Sequence, residues 1–313
     1  MSRDVWFGVH VPPEGHDFEY MKSVCLSVER LGFDLFTITD HFMNMGNPTG
    51  PGNHPLECWT TLAGLASVTK RVKLGPLVSC YAYRRPTVLA KMATTVDIIS
   101  GGRLIFGIGA GWHEHEFKGF MGGFPSTGRR IRGLRETVEI CECMFTQEHT
   151  SYDGTLYKVK DVLNSPLPVQ RPIPIMVGGG GERSTLRIAA EHAHISHFFA
   201  NNLETLEHKI NVLRGHCKKV GRDFDEIRKA TGVSVIMGRD DSEAERKLIK
   251  AAKDRRIDVE AIRSRMGPAF GTPEKTTRNL QGYIDRGIGL ITLSFYDAED
   301  MKTFSEEIIP QIK

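Results

Sequence analysis

No apolar run in the chain approaches the ~20 residues that a helix needs to cross a bilayer. Met1 to Val11 also lacks the basic and long apolar segments of a secretory leader. Both absences lead us to expect a soluble, cytoplasmic protein. The six cysteines (Cys25, Cys58, Cys80, Cys141, Cys143, Cys217) include no C-x-x-C pair, which argues against a zinc knuckle or a redox couple. Several lie in apolar segments and read as buried, reduced thiols. Net charge is scarce too. A formal +3, with no Lys/Arg stripe interleaved with aromatics, gives no footprint for nucleic acid and is compatible with a small anionic ligand. No Lys-Ser/Thr follows the one glycine run, so it is not a Walker loop, and it is not a first-strand dinucleotide fingerprint either.

What the chain does have is alternation. Strand patterns at 5–11, 35–38, 72–78, 104–108, 173–177, 194–199, 230–237 and 290–295 are separated by helical ones. The helices are expected at 18–31, 57–69, 88–99, 131–145, 203–220, 243–255 and 273–286, with a closing one at 298–309. A small hairpin is expected around 152–157. Eight strands alternating with helices over 313 residues predict a (β/α)8 barrel, with the doubly wound open sheet as runner-up. One domain over 1–313 is expected, with insertions near 44–55, 109–128 and 151–172. In a barrel the chemistry belongs at the C-terminal ends of the strands.

The residues at those ends are capable of chemistry. Ile173 to Val177, then Gly178, Gly179, Gly180 and Gly181, then a helix from Ser184, is the strand–glycine–helix arrangement that lines up N–H groups toward an anion. Arg183 and Ser184 stand where a guanidinium and a hydroxyl would complete a phosphate cradle; a crowded turn without ligand is the alternative. Asp40-His41 ends the second strand, and such a histidine trades protons near neutral pH. Asp40 capping a turn with His41 packed beside it is the alternative. The glycines of 107–111 allow a flat ligand, or simply barrel packing, at the fourth strand. His113, Glu114, His115 and Glu116, with His192, His194 and His197, raise a zinc hydrolase as an alternative, although these histidines are spread over several elements. Arg84-Arg85-Pro86 reads as a solvated helix start, and 247–256 as an exposed charged face or, alternatively, a holder for a charged cofactor tail.

Taken together, Thr39-Asp-His-Phe42, Leu74-Gly-Pro-Leu-Val78, Arg85-Pro86 through Lys91, Asp97 through Leu104, Gly107 through Trp112 with Glu116, and Pro174 through Gly181 carry a family likeness. From Val5 to Asn202 the chain resembles the bacterial luciferase-like superfamily, in its branch of F420-dependent oxidoreductases. The resemblance implies a barrel, usually homodimeric, with coenzyme F420 in its mouth and the phosphate at Gly178 to Gly181 near Arg183 and Ser184. It implies a non-prolyl cis peptide at Leu77–Val78, bulging against the deazaflavin ring. Asp40, Cys80, Ala110, Gly111 and His115 would contact the cofactor, and His41 would handle the proton. Sugar-phosphate-oxidising relatives carry a glutamate and an asparagine where this chain has Trp112 and His115, which argues against that substrate and leaves Glu114 to take the acid role. Trp6 or His10, with Met43 and Met45, are expected to line the substrate pocket. Hydride transfer to or from a small alcohol, carbonyl or activated alkene is the reading; an FMN-dependent monooxygenase and a non-catalytic deazaflavin- or flavin-binding protein are the alternatives. No metal and no nucleic acid or membrane partner is expected.

Overall fold

The computed structural model describes residues 5–46, 48, 50, 52, 54–255, 257–264 and 266–312, so part of the 44–55 insertion lies outside the described residues. In chain order the elements are β1 (Trp6–Val11), α1 (Phe18–Arg30), β2 (Leu35–Ile38), α2 (Cys58–Val68), β3 (Lys73–Pro76), β4 (Ser79–Cys80), α3 (Pro86–Ser100) and β5 (Phe106–Gly109). Next come α4 (Glu114–Met121), α5 (Thr127–Thr146), the hairpin β6 (His149–Asp153) and β7 (Lys158–Leu163), β8 (Ile175–Gly178), α6 (Thr185–His192), β9 (Ile195–His197) and α7 (Leu203–Val220). The last third holds β10 (Arg228–Met237), α8 (Asp241–Arg255), α9 (Val259–Arg263), β11 (Met266–Gly271), α10 (Pro273–Asp285), β12 (Ile288–Phe295), α11 (Ala298–Thr303) and α12 (Ile309–Ile312).

The main sheet runs β3-β2-β1-β12-β10-β9-β8-β5-β4, and all its pairs are parallel. Its two ends are halves of one barrel stave. β3 stops at Pro76, β4 resumes at Ser79, and the Leu77–Val78 peptide between them is cis. Leu74 bridges Leu104, while Ser79 and Cys80 pair with Ile108 and Gly109, so the sheet returns on itself as a (β/α)8 barrel. The expected unbroken third strand over 72–78 is thus corrected: the bulge divides it. Three elements were not anticipated, the short α9 among them. β11 lies beside β10 off the barrel path, and α4 occupies the stretch expected to be an insertion loop.

Local sequence explains the helix ends. Asp17 caps α1 by accepting from the Tyr20 N–H (2.8 Å), Met21, Cys25 and Val28 share its buried face, and Gly32 at φ +80° leaves the helix. Pro86 opens α3, and Gly101 at φ +68° closes it. Inside the barrel, Leu35, Ile105, Met176, Ile195, Ala230 and Leu290 form their own buried cluster, with Leu77 and Val78 packed against it. Each large apolar side chain there contributes about 1.5–3 kcal/mol of burial. This filled interior holds the strand ends, and the loops that follow them, in fixed register.

Candidate active site

His41 follows β2 and meets Glu116 across the mouth. His113 caps α4 by accepting from the Glu116 N–H (3.4 Å), and this phase turns Glu116 and Phe117 inward while Glu114 and His115 face solvent. Glu116 has no exposed side-chain surface. One of its oxygens accepts from His41 Nδ1 (2.8 Å) and the Tyr83 hydroxyl; the other accepts from the N–H groups of Phe42 (2.6 Å) and Met43 (2.9 Å). Burial works against the Glu116 charge, but the hydrogen bonds from His41 and Tyr83 outweigh it and hold the carboxyl below its ordinary range. An ionised acceptor on Nδ1 places the proton there and leaves Nε2 of His41 for a substrate. Trp112 stands edge-on to the His41 ring, with centroids 5.6 Å apart.

Glu114 and His115, read from sequence as an acid and a cofactor contact, are both exposed, and Glu114 is paired with Lys118 at 2.7 Å. The residues the sequence reading did not single out here are Tyr83 and Glu14; Glu116 it named only in the metal alternative and in the family likeness, without this role. Both carboxyl oxygens of Glu14 are buried without a hydrogen-bond partner among the described residues. Burial raises its pKa, against the influence of its own backbone and of His41. The sequence did hold one clue: Glu114 and Lys118 at i,i+4 mark the outer face of α4, which puts Glu116 and Phe117 on the inner one.

Asp40 is also buried. Its two oxygens take a bidentate clamp from Arg84 (2.7 and 3.0 Å), and Arg84 also holds Glu57. Burial raises the Asp40 pKa despite Arg84. The expectation of a solvated helix start is corrected for Arg84, whose side chain is 9% exposed; Arg85 does face solvent. The clamp fixes Asp40 at the strand end and leaves lone pairs for a ligand.

The bulge forms the back of the mouth. A Cβ at Gly109 or Gly178 would strike the Val78 side chain, so glycine there admits the bulge. Gly111, at φ +69°, would drive a Cβ into Cys80 and Phe117. Cys80 is buried, which pushes its thiol up to about 12 and keeps it protonated. Ala110 is half-buried beside them, and Arg130 donates to the Gly111 carbonyl (2.7 Å).

A cavity of about 300 Å³ opens between His10, Leu77, Phe199, Gly232, Thr292 and Ser294. His10 bonds Thr37 (3.0 Å) and His197 bonds Thr292 (2.9 Å). Burial lowers His10 to about 4 and His197 to about 3, so both are neutral near pH 7. His10 therefore lines the mouth, whereas Trp6 stacks on Lys73 and Arg228 at the opposite, N-terminal end of the strands; its expected pocket role is corrected. Met43 is half-buried and Met45 41% exposed in the loop over the mouth.

At the glycine turn, Gly179 has φ +127° and donates to the His197 carbonyl (2.9 Å). The Gly180 and Gly181 N–H groups donate to no acceptor among the described residues. Ser184 precedes α6 without a side-chain cap bond, and Arg183 is exposed. These free donors suit an anion. The remaining histidines are apart: His192 pairs with Glu142 (2.8 Å), and His194 accepts from the Ile175 N–H (3.1 Å). Among the described residues no group of three or more His, Cys, Asp or Glu is placed to hold a metal ion.

Comparison with known proteins converges on one family. The luciferase-like monooxygenase family model matches residues 5–291. A protein of Mycobacterium tuberculosis is 28% identical over 231 residues, 74% of either chain. The pyrimidine monooxygenase of Acinetobacter baylyi is 28% identical over 250 residues, 78% of this chain and 66% of its own. Among solved structures, the coenzyme F420-dependent tetrahydromethanopterin reductase of Methanopyrus kandleri superposes with a TM-score of 0.81 at 21% identity, over 99% of this chain and all of the reductase. At that identity the likeness speaks for the fold alone. The family match spans nearly the whole barrel, so this chain belongs to the luciferase-like monooxygenase family.

Proposed function

We propose that this luciferase-like enzyme binds coenzyme F420 in the barrel mouth and moves a hydride between the deazaflavin and a small alcohol, carbonyl or activated alkene. The observation that carries the reading is the His41–Glu116 pair, a proton-handling histidine oriented by a buried carboxylate beside the Leu77–Val78 bulge. Bound there, F420 supplies a ring carbon that gives or takes a hydride and that, unlike flavin, is poor at oxygen activation. Two features support the fit of such a group: Gly109 and Gly178 make room for the bulge, and Gly180 and Gly181 offer N–H groups without acceptors among the described residues.

The chain's own residues divide the task. Leu77, Val78, Cys80, Ala110 and Gly111 buttress the ring, and Asp40, clamped by Arg84, contacts its polar edge. Gly178 to Gly181 with Arg183 and Ser184 take the phosphate, and His115 and Glu114 lie at the rim. His41 exchanges a proton at Nε2 while ionised Glu116 steadies the imidazolium form, an arrangement of base and orienting acid. Neutral His10 and His197 shape a substrate pocket that carries no charge.

The FMN-dependent monooxygenase reading is supported by the likeness to pyrimidine monooxygenases. Titration of the protein with F420 and, separately, FMN, followed by fluorescence and absorbance, tests the choice. Tight binding of F420 with little FMN affinity is the expected result; the reverse overturns the reading. The apolar face of α2 and α3, where Trp59, Ala63, Val88 and Met92 line a cavity of about 590 Å³, supports a homodimer. Six free cysteines, five of them buried, suit a reducing cytoplasm.

A further inference from the structure

Between α5 and α6, next to the glycine turn, lies a cavity of about 410 Å³. Four arginines line it, Arg132 and Arg135 from α5, Arg183 from the turn before α6 and Arg187 from α6 itself, with Ile131 and Ile188 between them. Their charges are only partly answered. Arg135 pairs with Glu139 (3.6 Å) and Glu191, and Arg187 with Glu191 (3.0 Å). Arg132 reaches only the Thr155 hydroxyl (3.3 Å), and Arg183 meets no carboxylate among the described residues. Glu182, the carboxylate next in sequence, is drawn off by Lys209 (2.6 Å) and His208 (3.0 Å). Among the described residues, four guanidiniums thus share two carboxylates, and two positive charges are left over. Like charges gathered at a cavity repel one another unless an anion enters it.

We infer that this cavity receives the anionic tail that continues past the cofactor phosphate, a chain of carboxylates of the oligoglutamyl kind that the deazaflavin F420 carries and FMN lacks. The inference rests on the F420 reading above. Arg183 and Ser184 belong both to the end of the glycine turn and to the cavity wall, so a chain leaving the phosphate site enters the cavity directly. Guanidinium forks match carboxylates in bidentate geometry, and four of them, three on two helices and Arg183 in the turn before α6, offer several such partners rather than one. The sequence had offered α8 as an alternative tail holder. Two of its three lysines are matched within the protein instead, Lys247 with Asp300 (2.7 Å) and Lys250 with Asp254 (2.7 Å).

The test is fluorescence titration with F420 lacking glutamates and F420 carrying several, at low and raised salt. It uses the wild-type protein and the double variant Arg132→Gln/Arg187→Gln, which keeps Arg183 at the phosphate end. The glutamylated form is expected to bind on the order of tenfold tighter to wild type at low salt. That gain should shrink with salt and vanish in the double variant, whose melting temperature and affinity for the tail-less form stay near wild type. Equal affinity of wild type for both forms, or an undiminished gain in the double variant, overturns the tail site while leaving the F420 reading in place. Binding of FMN with neither F420 form overturns both.

Discussion

The two sides of the barrel mouth treat charge in opposite ways. Toward β2, β4 and α4, the buried charges of Asp40, Arg84 and Glu116 are answered inside the protein: Arg84 clamps Asp40 and Glu57, and Glu116 takes four hydrogen bonds. Toward α5 and α6, among the described residues, Arg132 and Arg183 lack carboxylates and the Gly180 and Gly181 N–H groups lack acceptors. A self-satisfied site is organised before anything binds, which suits groups that must hold a proton at a fixed point. An unsatisfied one has its partner still to come. On the proposed function, the difference separates the side that performs chemistry from the side that grips.

Arg84→Met breaks the first side most severely. It strands the Asp40 carboxylate in the interior, and loss of one member of a buried pair costs about 3–5 kcal/mol. Urea denaturation should show that loss; a change below ~1 kcal/mol would mean that Asp40 finds other partners or takes up a proton without cost.

Glu116→Gln is subtler in shape and large in effect. The side chain keeps its size but loses the charge that orients His41, so turnover should fall on the order of 100-fold while cofactor affinity stays within a few-fold. Steady-state kinetics beside a binding titration reads the two apart. An unchanged rate would remove Glu116 from the proton path.

The smallest effect concerns pH. His10 and His197 ionise at about 4 and about 3 when folded, against 6.5 for an ordinary histidine, so the unfolded chain binds more protons in that window. Stability is therefore full above pH 6.5 and is lost as the pH falls through the window toward the folded values. Thermal melts from pH 7 down to pH 4 should decline, and His197→Gln should flatten the decline. A slope identical to wild type would show that His197 takes up its proton as readily in the folded protein as in the unfolded chain.

Much of the fold was legible because it rests on periodicity. The eight barrel strands and the helix Leu203–Val220 follow from apolar spacing and end signals such as Gly221. What escaped depends on relations that spacing does not carry. The direction of Glu116 depends on where α4 begins, and that is set by a cap from His113. Arg84 looked like surface because Asp40, its partner, lies 44 positions earlier. Trp6 sits at the wrong end of the barrel for a substrate pocket, since residues at the start of a strand face away from the mouth. His41, Asp40 and the glycine turn were found because the strand ends could be located, whereas the Leu77–Val78 bulge was expected only from the family resemblance. They do gather on one face.

The division between the two sides is tested most directly by the F420 dissociation constant, measured side by side in His41→Ala and Gly180→Val. A Cβ at Gly180 meets nothing closer than 3.7 Å, so a folded variant is expected. We predict that His41→Ala binds within a few-fold of wild type and does not turn over, while Gly180→Val loses affinity on the order of tenfold as its side chain enters the phosphate's approach. Lost binding with normal saturated turnover in His41→Ala, or undiminished affinity in folded Gly180→Val, would contradict the account.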